Sequence, residues 1–106
     1  LLLVIANNRS FYNDEVHQER VARMRNRPIE NKWIGQRMTE PDIDLAALAR
    51  AQGALGLGPI TSHEQLAPAY ARAIAAVEQG GVAVVDVRVE PGYTPAMSAT
   101  MLKPGN

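Results

Sequence analysis

The sequence predicts an α/β protein, an incomplete three-layer domain built on a parallel sheet. Three observations predict it. The run Leu1-Leu2-Leu3-Val4-Ile5-Ala6 is apolar without interruption and is bounded by polar turn formers, the signature of a strand buried on both faces. The run Val82-Ala83-Val84-Val85-Asp86-Val87-Arg88-Val89 is β-branched and reads as a second strand. Between them lie two stretches with apolar residues at helical spacing that are closed by glycine, at Gly53 and at Gly80-Gly81.

The first strand runs into Asn7-Asn8-Arg9-Ser10-Phe11-Tyr12. In parallel sheets ligands gather at the carboxyl ends of the strands, so the two asparagines sit where a ligand is expected. An amide oxygen is a hard, neutral donor that suits Mg²⁺. The same pair also reads as a plain turn, because Asn tolerates left-handed backbone angles and bonds its own backbone. Asn13 then reads as a helix cap. Acid follows in the first turn (Asp14, Glu15) and base further on (Arg20, Arg23, Arg25), the polarity a helix dipole favours. A helix over residues 14–25 follows, with Val16, Val21 and Met24 as a thin apolar stripe. The arginines, with Arg27, read as a solvated face rather than a phosphate patch.

Pro28 and Pro41 bracket a segment of little periodicity that holds the only tryptophan, Trp33. Such a stretch reads either as a lid or binding loop, or as a place where Trp33 packs on the core or a partner subunit. Asp42 or Asp44 caps the next helix, with Leu45, Leu48 and Ala49 at helical spacing and Gly53 as its stop. Residues 54–60 admit a short strand broken by Gly56, Gly58 and Pro59. Those glycines follow a helix, so they lack the context of a dinucleotide loop. Thr61 and Glu64 have capping-box spacing and open a helix to about Gln79. Its stripe is Leu66, Tyr70, Ala73, Ile74 and Val77, Pro68 sits in an early turn, and Gly80-Gly81 ends it. The last strand places Asp86 and Arg88 on one face and Val85, Val87 and Val89 on the other. Pro91, Pro95 and Pro104 then predict a loop or wrap. Residues 1–92 form the domain and residues 93–106 a tail.

Composition sets the limits. The 106 residues suit one domain, and 46% apolar content supports a packed core. Formal net charge is zero, which gives no field toward nucleic acid or an acidic membrane surface. Cysteine is absent, which excludes disulfides and thiolate metal sites and fits a reducing compartment; a cytoplasmic location is the expectation. No apolar run is long enough to span a membrane as a helix, and the first run lacks a basic leader and cleavage site. The chain begins with Leu, inside a strand, and offers only two strong strands. The expectation is a C-terminal piece of a longer protein. Neither His17 nor His63 has a second ligand nearby in sequence, and no Gly-x-Ser-x-Gly nucleophile is present.

The order of pieces is a buried strand, Asn7-Asn8, a polar segment, and Pro41-Asp42-Ile43-Asp44-Leu45-Ala46-Ala47-Leu48-Ala49-Arg50-Ala51-Gln52-Gly53. A glycine-broken strand, Thr61-Ser62-His63-Glu64-Gln65-Leu66 and the Val82–Glu90 strand complete it. Over residues 1–92 this order resembles the C-terminal half of the diphosphate-binding domain of thiamine-diphosphate-dependent enzymes. Acetolactate synthase, benzoylformate decarboxylase and related enzymes of 2-oxo acids form that group. The resemblance implies that Asn8 gives its side-chain oxygen to Mg²⁺ and Ser10 its backbone carbonyl, with Phe11 and neighbouring backbone beside the diphosphate. It implies two cofactors, thiamine diphosphate and Mg²⁺, a 2-oxo acid substrate, and a homodimer or homotetramer in the full-length enzyme. The family's Gly-Asp-Gly half, with its aspartate ligand, is not in this sequence, nor is the other cofactor domain, which usually comes from a partner subunit. The aromatic-glutamine segment that acetolactate synthases tend to carry is absent too, which leaves oxalyl-CoA decarboxylation or sulfopyruvate chemistry open. No catalytic acid or base is assigned, because the cofactor carries the carbanion chemistry. The reading from another class is a non-catalytic α/β binding or regulatory module with Asn7-Asn8 as a turn.

Overall fold

The computed structural model describes residues 1–102, which form two compact units. The first joins Leu1–Asn7 to Ile43–Val89, and the second joins Asn8–Asp42 to the segment from Glu90 onward. Pro104 of the expected tail lies outside the described residues.

The first unit is a three-stranded parallel sheet of β1 (Leu2–Asn7), β2 (Leu55–Ile60) and β3 (Ala83–Arg88), in the order β1-β3-β2. Strand β3 is therefore central. Helix α2 (Leu45–Ala51) precedes β2, and helix α3 (Leu66–Glu78) links β2 to β3; helix α1 belongs to the second unit. Pairing sets Leu55 and Leu57 beside Ala83 and Val85, and these pack with Ala69 and Ala73 of α3 in one buried cluster. Gly56, on the opposite face by alternation, lies under α2. Helices thus cover both faces, which is the expected α/β layering. The alternation expected in β3 is present: Val85 and Asp86 are both fully buried, on opposite faces.

Strand β1 forms where expected, yet it is not buried on both faces. It lies at the sheet edge with β3 as its only neighbour among the described residues, so Leu2, Leu3 and Val4 are exposed, Leu3 to 49%. Strand β2 spans the glycines after all. Its pairing with β3 skips between Leu57 and Ile60, where Pro59 has no N–H to donate. Gly56 and Gly58 are packing residues, not ligand cradles. A Cβ on Gly56 would stand 2.1 Å from the Ala46 carbonyl oxygen, and Gly58 has φ +129° with the Asp86 carbonyl oxygen 2.6 Å from its missing Cβ.

Asp44, not Asp42, caps α2: its carboxylate accepts the Ala47 N–H at 2.7 Å. The capping residue before α3 is also displaced by one position from the expectation. Gln65 rather than Glu64 reaches back, its Oε1 accepting the Thr61 N–H at 2.8 Å and the Ser62 N–H at 3.3 Å.

The second unit holds α1 (Tyr12–Met24), a strap of turns over residues 26–42, and α4 (Pro95–Leu102). Helix α1 starts before Asn13. Phe11 is its cap, with no side-chain bond, and its carbonyl accepts the Asp14 and Glu15 N–H groups. The buried residues of α1 are Glu15, Val16 and Glu19, while Met24 is exposed, so the expected apolar stripe is replaced by two carboxylates four residues apart. The expected loop after Pro91 is partly helical. Pro95 is the first residue of α4, where a proline costs no hydrogen bond, and Thr94 Oγ1 accepts the Met97 N–H at 3.4 Å. Tyr12 and Tyr93 meet edge to face at 5.2 Å.

Gly56→Ala is expected to lower stability by about 1–3 kcal/mol, because backbone must move to admit the methyl group. A urea midpoint equal to that of the unmutated chain would show that α2 yields there at no cost.

Candidate metal and diphosphate site

The two asparagines have different tasks. Asn7, the last residue of β1, is buried, and its Nδ2 donates to Asp86 Oδ1 at 2.9 Å. Asp86 is 0% exposed, and its other oxygen lies 4.0 Å from Arg88 Nε, an ion-pair distance rather than a hydrogen bond. Asn7 thus supplies a hydrogen bond to one oxygen of a buried carboxylate inside the first unit.

Asn8 opens the second unit. Its Oδ1 accepts the Ser10 N–H at 3.0 Å, which closes a tight turn over Arg9. Arg9 sits at φ 57°, the left-handed region, and its guanidinium lies 3.8 Å from Asp42. The turn is then gripped by the strap. Ser10 faces Arg37 in an antiparallel bridge, with Phe11 N–H donating to the Gln36 carbonyl at 3.0 Å and Met38 N–H to the Arg9 carbonyl at 2.8 Å. In this bridge the facing pair makes none of the cross-strand bonds itself. The N–H and C=O of Ser10 therefore point to the edge away from Arg37. The N–H on that edge is the one that meets Asn8 Oδ1, so the Asn8 amide oxygen and the Ser10 carbonyl lie along the same edge of the turn.

Below the turn is Glu15, 2% exposed. Its carboxylate accepts Ser10 Oγ at 2.5 Å, Arg37 Nε at 3.2 Å and Arg37 Nη2 at 3.3 Å. One helical turn on, Glu19 accepts both Arg23 (2.9 and 2.8 Å) and Lys32 of the strap. The Lys32 hydrogen bond, opposed by burial and reinforced by Arg23, holds the Glu19 carboxyl below its ordinary value of 4.5. Trp33 is 43% exposed and the Arg37 guanidinium lies 5.8 Å from its ring centroid. Trp33 is thus not a core residue of this unit. Phe11, the third expected site residue, joins the site through its backbone, with its ring exposed. A cavity of about 290 Å³ lies against Asn8, Ser10, Tyr12, Glu15, Arg37 and Thr39.

The donors suit a hard divalent cation. An amide oxygen and a carbonyl oxygen on one edge are neutral ligands of the kind Mg²⁺ accepts when phosphate supplies the rest of its shell. Among the described residues there is no group of three or more His, Cys, Asp or Glu that could hold a metal ion. His17 and His63 take no part in the turn. Asn8, Ser10 and Phe11, the residues the family resemblance implies, all lie in or beside this turn, whereas sequence reasoning named Glu15 only as a first-turn acid and did not single out Arg37. The available signal was the pair Glu15 and Glu19 on one helical face, matched by two bases, Lys32 and Arg37, in the strap.

Ligands of α/β folds gather beyond the carboxyl ends of parallel strands, and this turn follows the carboxyl end of β1. The family described as "Thiamine pyrophosphate enzyme, C-terminal TPP binding domain" matches residues 1–87, and the chain belongs to that family. No curated protein and no solved structure matches it. Among the described residues, no helix is long and apolar enough to cross a membrane.

Two outcomes follow from this geometry. Arg9→Val is expected to destabilise the protein by about 1–3 kcal/mol, since a β-branched residue is poorly tolerated at positive φ, while Arg9→Gly stays within about 1 kcal/mol. Equal denaturation midpoints for the two variants would refute the turn geometry. The depressed Glu19 pKa gives stability that is fully present above the unfolded value and is lost as pH falls through the folded one. The stability gap between the unmutated chain and Glu19→Gln should therefore be constant near neutral pH and shrink below 4.5. A gap that widens on acidification would reverse the sign of the coupling.

Proposed function

We propose that this chain is the cofactor-binding C-terminal domain of a thiamine-diphosphate- and Mg²⁺-dependent enzyme acting on 2-oxo acids, by decarboxylation or carboligation in the manner of acetolactate synthase and benzoylformate decarboxylase. The observation that carries the metal assignment is the shared edge of the Asn8 amide oxygen and the Ser10 carbonyl. Asn8 Oδ1 and the Ser10 carbonyl would hold Mg²⁺, and Phe11 with its neighbouring backbone would lie beside the diphosphate. The Asn8 oxygen retains a second lone pair while it accepts the Ser10 N–H.

Thiamine diphosphate supplies the carbanion-stabilising chemistry when bound. The residues of this chain bind and orient, and no catalytic acid or base is assigned to them. The domain works within a larger cytoplasmic enzyme, a homodimer or homotetramer, whose other cofactor domain comes from a partner subunit. By itself the chain is expected to bind thiamine diphosphate and Mg²⁺ weakly or not at all, because it carries no aspartate of a Gly-Asp-Gly segment.

The hydrogen bond within the Asn8 turn also favours a second reading, an α/β binding or regulatory module in which the asparagines only shape a turn. Substitution separates the two. In the complete enzyme Asn8→Ala should weaken Mg²⁺ binding about tenfold or more. Asn7→Ala should instead cost about 1–3 kcal/mol of stability by stripping a donor from buried Asp86, with little effect on the metal. Calorimetric titration of Mg²⁺ with thiamine diphosphate, beside denaturation midpoints, reads both. Equal losses of metal affinity in the two variants would break the assignment.

A further inference from the structure

We propose that Glu15 is a positioning residue for the Ser10 carbonyl, acting through the Ser10 hydroxyl and the Arg37 guanidinium. The inference rests on the reading that Asn8 and Ser10 ligate the divalent cation, and it goes beyond that reading by assigning what aims the backbone ligand.

A side-chain ligand can be specified by residue type. A backbone carbonyl cannot, because every residue has one. Its direction depends on the φ and ψ of its own segment and on whatever holds that segment. Ser10 is held at three points. Its N–H is fixed to Asn8 Oδ1, its neighbours are fixed by the bonds of the Arg37 bridge, and its side chain is fixed to Glu15. Facing residues of an antiparallel pair carry their side chains on the same side. The Glu15 carboxylate lies across both side chains of that pair, taking Ser10 Oγ at 2.5 Å and Arg37 at 3.2 and 3.3 Å. It closes a ring that runs from Ser10 through Glu15 and Arg37 and back through the bridge. Rotation of the Ser10 peptide plane would break at least one of these bonds.

The choice of a carboxylate supports this role. Glu15 is 2% exposed while the Arg37 side chain is 49% exposed, and withdrawing a carboxylate from water costs free energy that apolar packing would not. What it gives is direction, since two N–H groups of one guanidinium on the two oxygens of one carboxylate fix the geometry of the pair. Glu19 does the neighbouring task with Lys32, so the strap is fastened to α1 at two points one helical turn apart, both polar.

The test uses the complete enzyme saturated with thiamine diphosphate and Mn²⁺ as a paramagnetic probe, with free Mn²⁺ read from its spin-resonance signal. Four variants are compared: Asn8→Ala, Glu15→Gln, Ser10→Ala and the Glu15→Gln/Ser10→Ala double variant. Ser10→Ala matters most, because it removes the hydroxyl and leaves the ligand atom in place. It also keeps the test alive if Glu15→Gln does not fold. The expected result is a loss of Mn²⁺ affinity of about 10-fold or more in Glu15→Gln, the range seen when a partner of a metal ligand is removed. Ser10→Ala should show a smaller loss in the same direction, and the double variant should be no worse than Glu15→Gln alone, because both act through one bond. Three outcomes overturn the inference. In the first, Ser10→Ala and folded Glu15→Gln both bind Mn²⁺ within twofold of the unmutated enzyme while Asn8→Ala loses tenfold, which removes the positioning role and spares the ligand reading. In the second, the single losses multiply in the double variant, which makes the two residues independent. In the third, Asn8→Ala itself binds within twofold, so the ligand reading fails and this inference falls with it.

Discussion

The central position of β3 is the constraint on which the first unit depends. It is the one strand with a neighbour on each edge, and helices pack over both faces of the sheet. Every side chain from Ala83 to Asp86 is consequently buried. Apolar residues meet that demand readily, and Val85 does so against α3. Asp86 does not, because a carboxylate without water needs donors from the protein. Asn7 supplies one and Arg88 a nearby positive charge. The register of β1 on β3, with Ile5 beside Asp86 and Asn7 beside Arg88, brings that amide within reach. A slip of one residue would turn Asn7 to the other face and leave the acid without it.

The second unit is organised by a different physics. Its helix buries Glu15 and Glu19 with a single valine, and its strap is tied down by Arg37 and Lys32. Apolar residues in this unit, Phe11, Met24, Trp33 and Ile34, are exposed. Apolar packing is tolerant of sliding, whereas a bonded carboxylate fixes distance and angle together. The strap and the turn it grips are therefore held by the second kind of fastening.

Legibility in the sequence followed the range of the interaction involved. The alternation of Val85, Asp86, Val87 and Arg88 is a period-two pattern, and it was readable because strand geometry is local. Asn8, Ser10 and Phe11 were named as a group only through the family resemblance, and four consecutive residues of chain keep them close in any fold. Burial of β1 was not, since it depends on how many strands flank it, and an apolar run looks the same at an edge or a centre. Gly56 read as a strand breaker because the Ala46 carbonyl that demands a glycine is supplied by another element. Thr61/Glu64 and Ser62/Gln65 both satisfy the capping-box spacing, and only the path of the chain chooses between them. Pro95 read as a breaker although the first turn of a helix is where proline fits. Glu15 and Arg37 are 22 residues apart, so the two acids one helical turn apart and the two bases of the strap hint at pairing without fixing which acid meets which base.

The two asparagines show how adjacent identical residues acquire separate functions. Their backbones alternate in direction as in any strand, so consecutive side chains leave on opposite sides. Asn7 still belongs to the ladder, and the Val89 N–H donates to its carbonyl at 3.1 Å. Its side chain is committed to Asp86. Asn8 is the first residue beyond β1, where the chain is no longer paired with β3 and can turn at Arg9. Its amide is free of the demands of the buried sheet and closes the turn instead. The end of the strand, rather than the residue type, therefore decides which asparagine satisfies the buried carboxylate of the sheet and which closes the turn beyond it.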